Sequence, residues 1–474
     1  MKSFSKPSLS RLPSAILALS LLGGFAAGSA EAAQATAASA VAEDSFDAAL
    51  APYFKTNLPG VSVIMTRAGK TIFRKSYGLA DLEAKSALRP DMMFRVGSVS
   101  KQFTSAAIFQ LIEAGKLKLD DDINALLPEL PNQGAKITLE QVLSHTSGLK
   151  DYVRSPKFAE TAGKPITRQQ IFELFKDDGL AFPPGQGFAY SNTGYFLLGM
   201  VIEKVSGMSY EDYLAKHIFE PLKMSQTAYE GRERDAQRRV EGYMGQGEKV
   251  QKADPINIDI VYAAGGLVST VDDLATWDRA IVEGKLLKPS SWELAMQPHK
   301  IHGTQNAGYG YGWNNYQIRG ARAIGHDGII PGFNAFAVRI PEHQLYVAVL
   351  GNNGFAAPNS AYLVEKIAAI AMGNPYPEYK AIQLDADSLE KFVGVYKIND
   401  KDDRAISREG NRLFMQRSGR GKFEVLPCGP AEFFIKDSPS RVHLRFVADA
   451  AGAFEQLIVT QNDLPSAEIR KAGR

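Results

Sequence analysis

In Phe94-Arg95-Val96-Gly97-Ser98-Val99-Ser100-Lys101-Gln102-Phe103-Thr104, a serine and a lysine stand three residues apart, after a glycine and ahead of an apolar run. On a helix that spacing puts an alcohol and an amine on one face. At a first helical turn, free backbone N–H groups and the positive end of the dipole favour an alkoxide. A lysine confined there loses hydration and faces the same dipole, and both push it toward the neutral amine that a base must be. The bare tetrapeptide says little, because Ser3 with Lys6, Ser147 with Lys150 and Ser388 with Lys391 repeat it. On this segment alone, a capping Ser98 or Ser100 and a snorkelling Lys101 explain the pattern equally well.

Two further segments add the missing chemistry. Phe182-Pro183-Pro184-Gly185-Gln186-Gly187-Phe188-Ala189-Tyr190-Ser191-Asn192 is a rigid turn that delivers Tyr-x-Asn to the start of a helix. A phenol beside cationic Lys101 could be held ionised below its free pKa of about 10 and accept the serine proton. Asn192 carries both a donor and an acceptor, suited to orienting Lys101 and a substrate amide. As ordinary residues, Tyr190 would be a core aromatic and Asn192 a helix cap. Gly325-His326-Asp327-Gly328-Ile329-Ile330-Pro331-Gly332-Phe333 enters a late strand, where a backbone N–H could face that of Ser98 and complete an oxyanion hole. His326 could donate to the Tyr190 oxygen, although His-x-Gly alone is common and usually structural.

Together, Ser-x-x-Lys, Tyr-x-Asn and His-x-Gly in this order resemble the serine β-lactamase and penicillin-binding-protein superfamily, in its class C branch. That branch holds class C β-lactamases, D-alanyl-D-alanine carboxypeptidases, D-aminopeptidases and esterases. The likeness extends over about residues 45 to 372 and includes Leu143-Ser144-His145-Thr146-Ser147-Gly148-Leu149 and Ala263-Ala264-Gly265-Gly266-Leu267-Val268-Ser269-Thr270. It implies an acylated Ser98, with Lys101 and Tyr190 sharing general-base and general-acid work. It also implies substrate binding by Asn192, His326, Asp327 and Gly328, and an oxyanion hole from the backbone N–H groups of Ser98 and Ile329. His326 replaces the lysine of true class C β-lactamases, which disfavours a dedicated β-lactamase. Asp327 stands where many relatives place a hydroxyl that binds the substrate carboxylate. A carboxylate there would repel a penicillin or a terminal D-Ala and tolerate an α-ammonium or a neutral ester. The expectation is therefore an aminopeptidase-like or esterase-like serine hydrolase acting on a small molecule or short peptide. The alternatives are a β-lactamase or D-Ala-D-Ala carboxypeptidase, and a penicillin-recognising sensor that acylates once and does not turn over.

These residues need elements to hold them. Residues 60–66 and 70–75 flank a three-residue turn in a hairpin pattern. A helix is expected from Ser98 to about Ala114, stopping at Gly115, and another over Tyr195 to Gly207. Thr270-Val271-Asp272-Asp273 is a capping box opening a third. Strands are expected at Phe333–Ile340 and Leu345–Leu350, and a closing helix at Ala361–Met372. The sum is an α/β (α+β) fold: an antiparallel sheet flanked by helices, sharing its first and last strands, with a helical subdomain beside it. The expected division is a β-lactamase-like domain over 45–372, a turn-rich linker at 373–387, and 388–474 as a small lipocalin-like β-barrel, a weaker likeness. Five short strands are legible there: Phe392–Tyr396, Arg412–Met415, Glu432–Ile435, Val442–Phe446 and Phe454–Val459.

Composition limits the partners. With 45% apolar and 22% charged residues, the 474-residue chain is an ordinary globular protein. Lys2, Lys6 and Arg11 precede the apolar Ala15–Leu22 and an Ala30-Glu31-Ala32 site, the order of a secretory signal peptide cleaved near Ala32. A periplasmic or secreted location follows, with no membrane-spanning segment after cleavage. Removing residues 1–32 takes three Lys/Arg from 54 and one Asp/Glu from 52, leaving 51 of each, so no nucleic acid partner is expected. No metal or cofactor is expected either: the seven histidines are scattered, and only His299 and His302 approach ligand spacing. His145 reads as a structural histidine, Cys428 as a small packed residue, Arg232–Arg239 as a solvated helix face, and the alternating aromatics of Gly308–Trp313 as a strand face or a pocket wall. Oligomeric state is not legible.

Overall fold

β1 (Val61–Arg67) is rich in β-branched residues, and its side chains leave it alternately on two buried faces. Val61, Val63 and Met65 join one core cluster while Ile64 joins the other, as the period of two requires. This strand lies inside a six-stranded antiparallel sheet formed with β2 (Lys70–Tyr77), β3 (Asn314–Ile318), β4 (Ala321–Ile330), β5 (Phe333–Ile340) and β6 (Leu345–Gly351). The order is β3-β4-β5-β6-β1-β2. Val61 pairs with Gly351 and Arg67 with Leu345, so the early hairpin and the late strands do share one sheet. The computed structural model describes residues 43–471 except 132–133, 162–163, 302–303, 306–307, 437, 439–440 and 462–463. The expected signal segment 1–32, and His302, lie outside the described residues.

One face of the sheet is covered by residues 43–50, which are helical, and by α4 (Ser360–Ala371), through Phe46, Leu50, Leu363, Val364 and Ile367. The other carries the larger core and the helices that hold the chemistry: α1 (Ser100–Glu113), α2 (Asn192–Ser206) and α3 (Val271–Val282). Every residue of α1 from Ser100 to Phe109 is buried, the mark of a helix enclosed on all sides. Ser191 caps α2 by accepting the Gly194 N–H at 3.4 Å. Gly207 ends that helix in the left-handed conformation at φ +73°. Thr270 caps α3 as its sequence predicts. The region between 120 and 300 is more broken than a helical subdomain implies, with short helices separated by loops. Arg232–Arg239 is not a helix face: only Ala236–Arg238 turns, and Arg239 pairs with Glu230 and Glu233. Tertiary ion pairing has taken the place of helical i,i+4 pairing.

The C-terminal strands close into an eight-stranded barrel: β7 (Gly394–Lys397), β8 (Asp403–Glu409), β9 (Arg412–Arg417), β10 (Lys422–Gly429), β11 (Glu432–Phe434), β12 (His443–Ala448), β13 (Phe454–Gln461) and β14 (Leu464–Arg470). Closure is made by Tyr396 and Lys397 against Arg470 and Ile469. The sequence pattern misses β8, β10 and β14. In β8 only Arg404 and Ile406 are buried, so the apolar alternation is too thin to read. No helix among the described residues is long and apolar enough to cross a membrane.

Candidate active site

Ser98 does not lie in the helix itself. Gly97–Val99 is a tight 3₁₀ turn that runs directly into α1. Gly97 has φ +51°, and a side chain there would meet the backbone of Gly328 and Ile329 at 3.1–3.3 Å. A side chain on Gly328 would overlap the Val96 carbonyl at 2.0 Å. Two glycines thus let the serine turn and β4 approach backbone to backbone. β3 pairs with β4 only as far as Gly325, so the outer edge of residues 326–330 has no strand on it and the turn packs there. Pro331 and Gly332 close the hairpin between Ile330 and Phe333. Strict antiparallel alternation then aims the Ile329 N–H away from β5, toward the edge where Ser98 lies. A pocket for a developing oxyanion needs that arrangement of two N–H groups.

Lys101 is fully buried on the first turn of α1. Its Nζ lies 3.0 Å from Ser98 Oγ, 2.9 Å from Asn192 Oδ1 and 2.8 Å from the Ala264 carbonyl. No carboxylate pairs with it. Burial pushes its pKa down to about 7, against the pull of the more distant Asp151 and Asp327. A neutral amine has two N–H groups and one lone pair. The two carbonyl oxygens can only accept, so they take the N–H groups and leave the lone pair to the Ser98 hydroxyl.

Asp151, which the motif reading does not single out, fixes this geometry. Its carboxylate accepts the Asn192 backbone N–H at 3.2 Å and the Asn192 Nδ2 at 3.2 Å. Because a carboxylate accepts only, Asn192 must turn its amide nitrogen to Asp151 and its oxygen to Lys101. Asn192 is therefore first a support for the lysine, with one N–H left for a substrate. Nothing in the sequence marks Asp151 except its place just after the Ser-His-Thr-Ser-Gly-Leu stretch.

Tyr190 is half-buried, with its hydroxyl closed off from solvent, and its ring lies 4.7 Å from the Lys101 nitrogen. The expectation of an ionised phenol is overturned. Loss of water pushes the Tyr190 pKa well above its usual value, although the nearby Ser98 hydroxyl favours the ionised form. Its hydroxyl has no well-formed hydrogen bond among the described residues. The cation expected to hold the phenolate itself loses its proton near pH 7 through the same desolvation.

His326 does not donate to Tyr190. Its Nδ1–H donates to the Asp327 carbonyl at 2.6 Å, leaving Nε2 to accept the Tyr309 hydroxyl at 3.1 Å. Burial takes its pKa down to about 4, so the ring is neutral. Tyr309 comes from the Gly308–Trp313 segment, which is a loop and not a strand face, with Tyr309, Tyr311 and Trp313 all buried. His145 is structural, as expected: its Nδ1 accepts the Ser191 N–H at 3.1 Å and its carbonyl accepts the Ala189 N–H at 3.0 Å. Its ring packs 4.3 Å from Tyr190 and 4.6 Å from Tyr309. Asp327 and Ile329 alternate with His326 and Gly328 along β4 and leave by the opposite face. The Asp327 carboxylate accepts the Tyr316 hydroxyl at 3.1 Å and is half-exposed. Its negative charge still reaches Lys101, Tyr190 and His326.

An antiparallel sheet with flanking helices and a serine–lysine–tyrosine cluster around a buried lysine defines a serine hydrolase of the β-lactamase and penicillin-binding-protein superfamily. Residues 39–372 match the Beta-lactamase family, and the chain belongs to it. It is 29% identical over 415 residues to penicillin-binding protein 4* of Bacillus subtilis (strain 168), spanning 83% of this chain and 91% of that one. Among solved structures it is similar to the octameric penicillin-binding protein homologue of Pyrococcus abyssi, with TM-score 0.62 and 25% identity over 87% of this chain and 96% of that one. It is also similar to the D-amino acid amidase of Ochrobactrum anthropi SV3 in complex with L-phenylalanine amide, with TM-score 0.61 and 27% identity over 70% of this chain and 99% of that one.

Proposed function

We propose that this chain is an exported hydrolase that cleaves amides or esters of small amino acids or short peptides through an acyl-enzyme on Ser98. One observation carries the reading: the buried Lys101 amine, 3.0 Å from Ser98 Oγ and with no carboxylate bonded to it among the described residues, is a base whose pKa burial brings down to about 7. The Ser98 oxygen attacks the carbonyl carbon as its proton passes to Lys101 Nζ. The Ser98 and Ile329 N–H groups hold the oxyanion, each contributing roughly 3 kcal/mol. The proton then moves by way of Lys101 and the neutral Tyr190 hydroxyl to the leaving nitrogen or oxygen, and the C–N or C–O bond breaks. Water attacks the remaining ester through the same base and frees Ser98. Export rests on the charged, apolar and small-residue order of residues 1–32.

The charges around the site favour an ammonium over a carboxylate substrate. Asp151 and Asp327 are the charged groups that act on Lys101, and His326 is neutral where β-lactamases carry a lysine. The likeness to a D-amino acid amidase supports the same class. The likeness to penicillin-binding protein 4* over most of its length favours a second reading, a D-Ala-D-Ala carboxypeptidase. Turnover of D- and L-phenylalanine amide, p-nitrophenyl butyrate, nitrocefin and a D-Ala-D-Ala peptide by wild type and Ser98→Ala separates the two. The amide or the ester should be the fastest. A faster D-Ala-D-Ala peptide overturns the substrate class, and a single acylation without turnover overturns the hydrolase in favour of a sensor.

A further inference from the structure

The only cysteine of the chain does not sit in packed core. Cys428 is half-buried at a bulge of β10, where the register against β11 slips between Pro427 and Gly429. Such a bulge re-aims a side chain. Phe433 and Leu444 point into the barrel core, so their neighbours Glu432 and His443 leave by the outer face. Phe434 pairs with His443 and Glu432 with Arg445, which puts Glu432 and His443 diagonal to each other across the β11–β12 pair. The Cys428 sulfur, a Glu432 carboxylate oxygen and a His443 ring nitrogen all lie within 4.8 Å of one another. Among the described residues no other group of three metal-ligating side chains converges in this way.

We propose that Cys428, Glu432 and His443 form a transition-metal site, suited to Zn²⁺, on the outer face of the barrel. The donor set is one soft thiolate, one imidazole and one carboxylate, each a common zinc ligand, leaving a fourth position for water. With Zn²⁺ the thiolate and carboxylate bring the local charge to zero. His443 Nε2 and Glu432 Oε2 are 3.6 Å apart, close to the roughly 3.5 Å that ligands at zinc bond lengths and tetrahedral angles require of each other. The cysteine sulfur lies within 4.8 Å of both. The imidazole is also held in waiting. Tyr379, from the segment joining the two regions, stacks flat on its ring at 4.5 Å and 11°. Its buried Nε2 has no well-formed hydrogen bond among the described residues, a cost that a metal would remove. Burial raises the thiol pKa to about 11, with Glu432 adding to the shift, and lowers that of His443. Metal binding must therefore displace the thiol proton to solvent. His443 also lines the cavity of about 720 Å³ between the barrel and the hydrolase region. One of the three ligands thus faces the seam between them.

Co²⁺ is the probe. Chelator-treated, untagged protein titrated with Co²⁺ should bind one ion per chain and develop a near-ultraviolet sulfur-to-metal charge-transfer band that Zn²⁺ abolishes. Cys428→Ser should lose the band. His443→Gln and Glu432→Gln should weaken binding by more than the roughly 10- to 100-fold that changes beyond the ligand shell cost. Saturating Zn²⁺ should slow labelling of the Cys428 thiol in wild type and leave it unchanged in His443→Gln, a readout that survives weak binding elsewhere on the surface. Absence of the band in wild type, or labelling that Zn²⁺ does not slow, overturns the site. So does wild-type affinity in all three variants. Circular dichroism of each variant confirms that the barrel is folded. Hydrolytic activity is not part of the readout, so failure here leaves the Ser98 mechanism untouched.

Discussion

Lys101 and Arg404 are both cationic side chains taken out of water, and the two regions of the molecule treat them in opposite ways. In the barrel, Arg404 donates from Nε and Nη2 to the Glu468 carboxylate at 2.9–3.2 Å, and both side chains are at least 90% buried. Attraction to a bonded counter-charge offsets lost hydration, and the pair is structural. Lys101 has three neutral oxygen atoms around it and no counter-ion in contact. Only the more distant Asp151 and Asp327 oppose the desolvation, and the amine gives up its proton near pH 7. The lesson is that a buried cation beside a carboxylate holds a fold together, whereas one beside an alcohol becomes a base.

Four changes would break or sharpen that contrast. Ser98→Ala should lower kcat by about 10⁴- to 10⁶-fold, as removal of a nucleophile does, while leaving barrel melting unchanged. Activity equal to wild type would end the acyl-enzyme reading. Glu468→Gln should do the reverse, destabilising the barrel by about 3–5 kcal/mol by stranding a buried guanidinium and leaving kcat intact. The double variant Arg404→Met, Glu468→Met should recover most of that loss in a denaturant titration. Gly328→Ala should lower kcat by roughly 10²- to 10³-fold, the cost of one oxyanion donor, because the new methyl forces β4 away from Val96. The smallest effect is on pH dependence. Because Lys101 must be neutral to act, kcat/KM should rise with pH through about 7. The Asp151 charge holds the lysine proton on, so Asp151→Asn should move that rise to lower pH. An unmoved limb would mean that another group titrates there.

Much of this was legible in the residues, for physical reasons. Ser98 and Lys101 are three apart, and helical geometry joins them wherever the segment goes. β1, β5, β6 and α2 show because each buries enough apolar side chains to impose its own period. β8, β10 and β14 do not show, since one face of a small barrel is wet and the other is filled partly by Arg404 and Glu468. The protonation state of the site was read half correctly: burial of Lys101 follows from the apolar run around it, whereas an ionised Tyr190 assumed a charged partner that the same burial removes. Asp151 escaped notice because a carboxylate acting through an asparagine leaves no spacing to find.

The amino-acid sequence by itself determined which chemical groups are available and the local geometry that holds within one element: the serine–lysine turn, the glycines on either side of the contact, and the caps of α2 and α3. Only the tertiary structure decided which groups have water or a counter-charge beside them. It gave Lys101 carbonyls and an alcohol, took Asp327 to the far face of β4, and brought Cys428 to His443 across 15 residues of chain. Protonation and ligation depend on solvent exclusion and on distances of a few ångströms between remote segments. Those quantities exist only once the chain has folded.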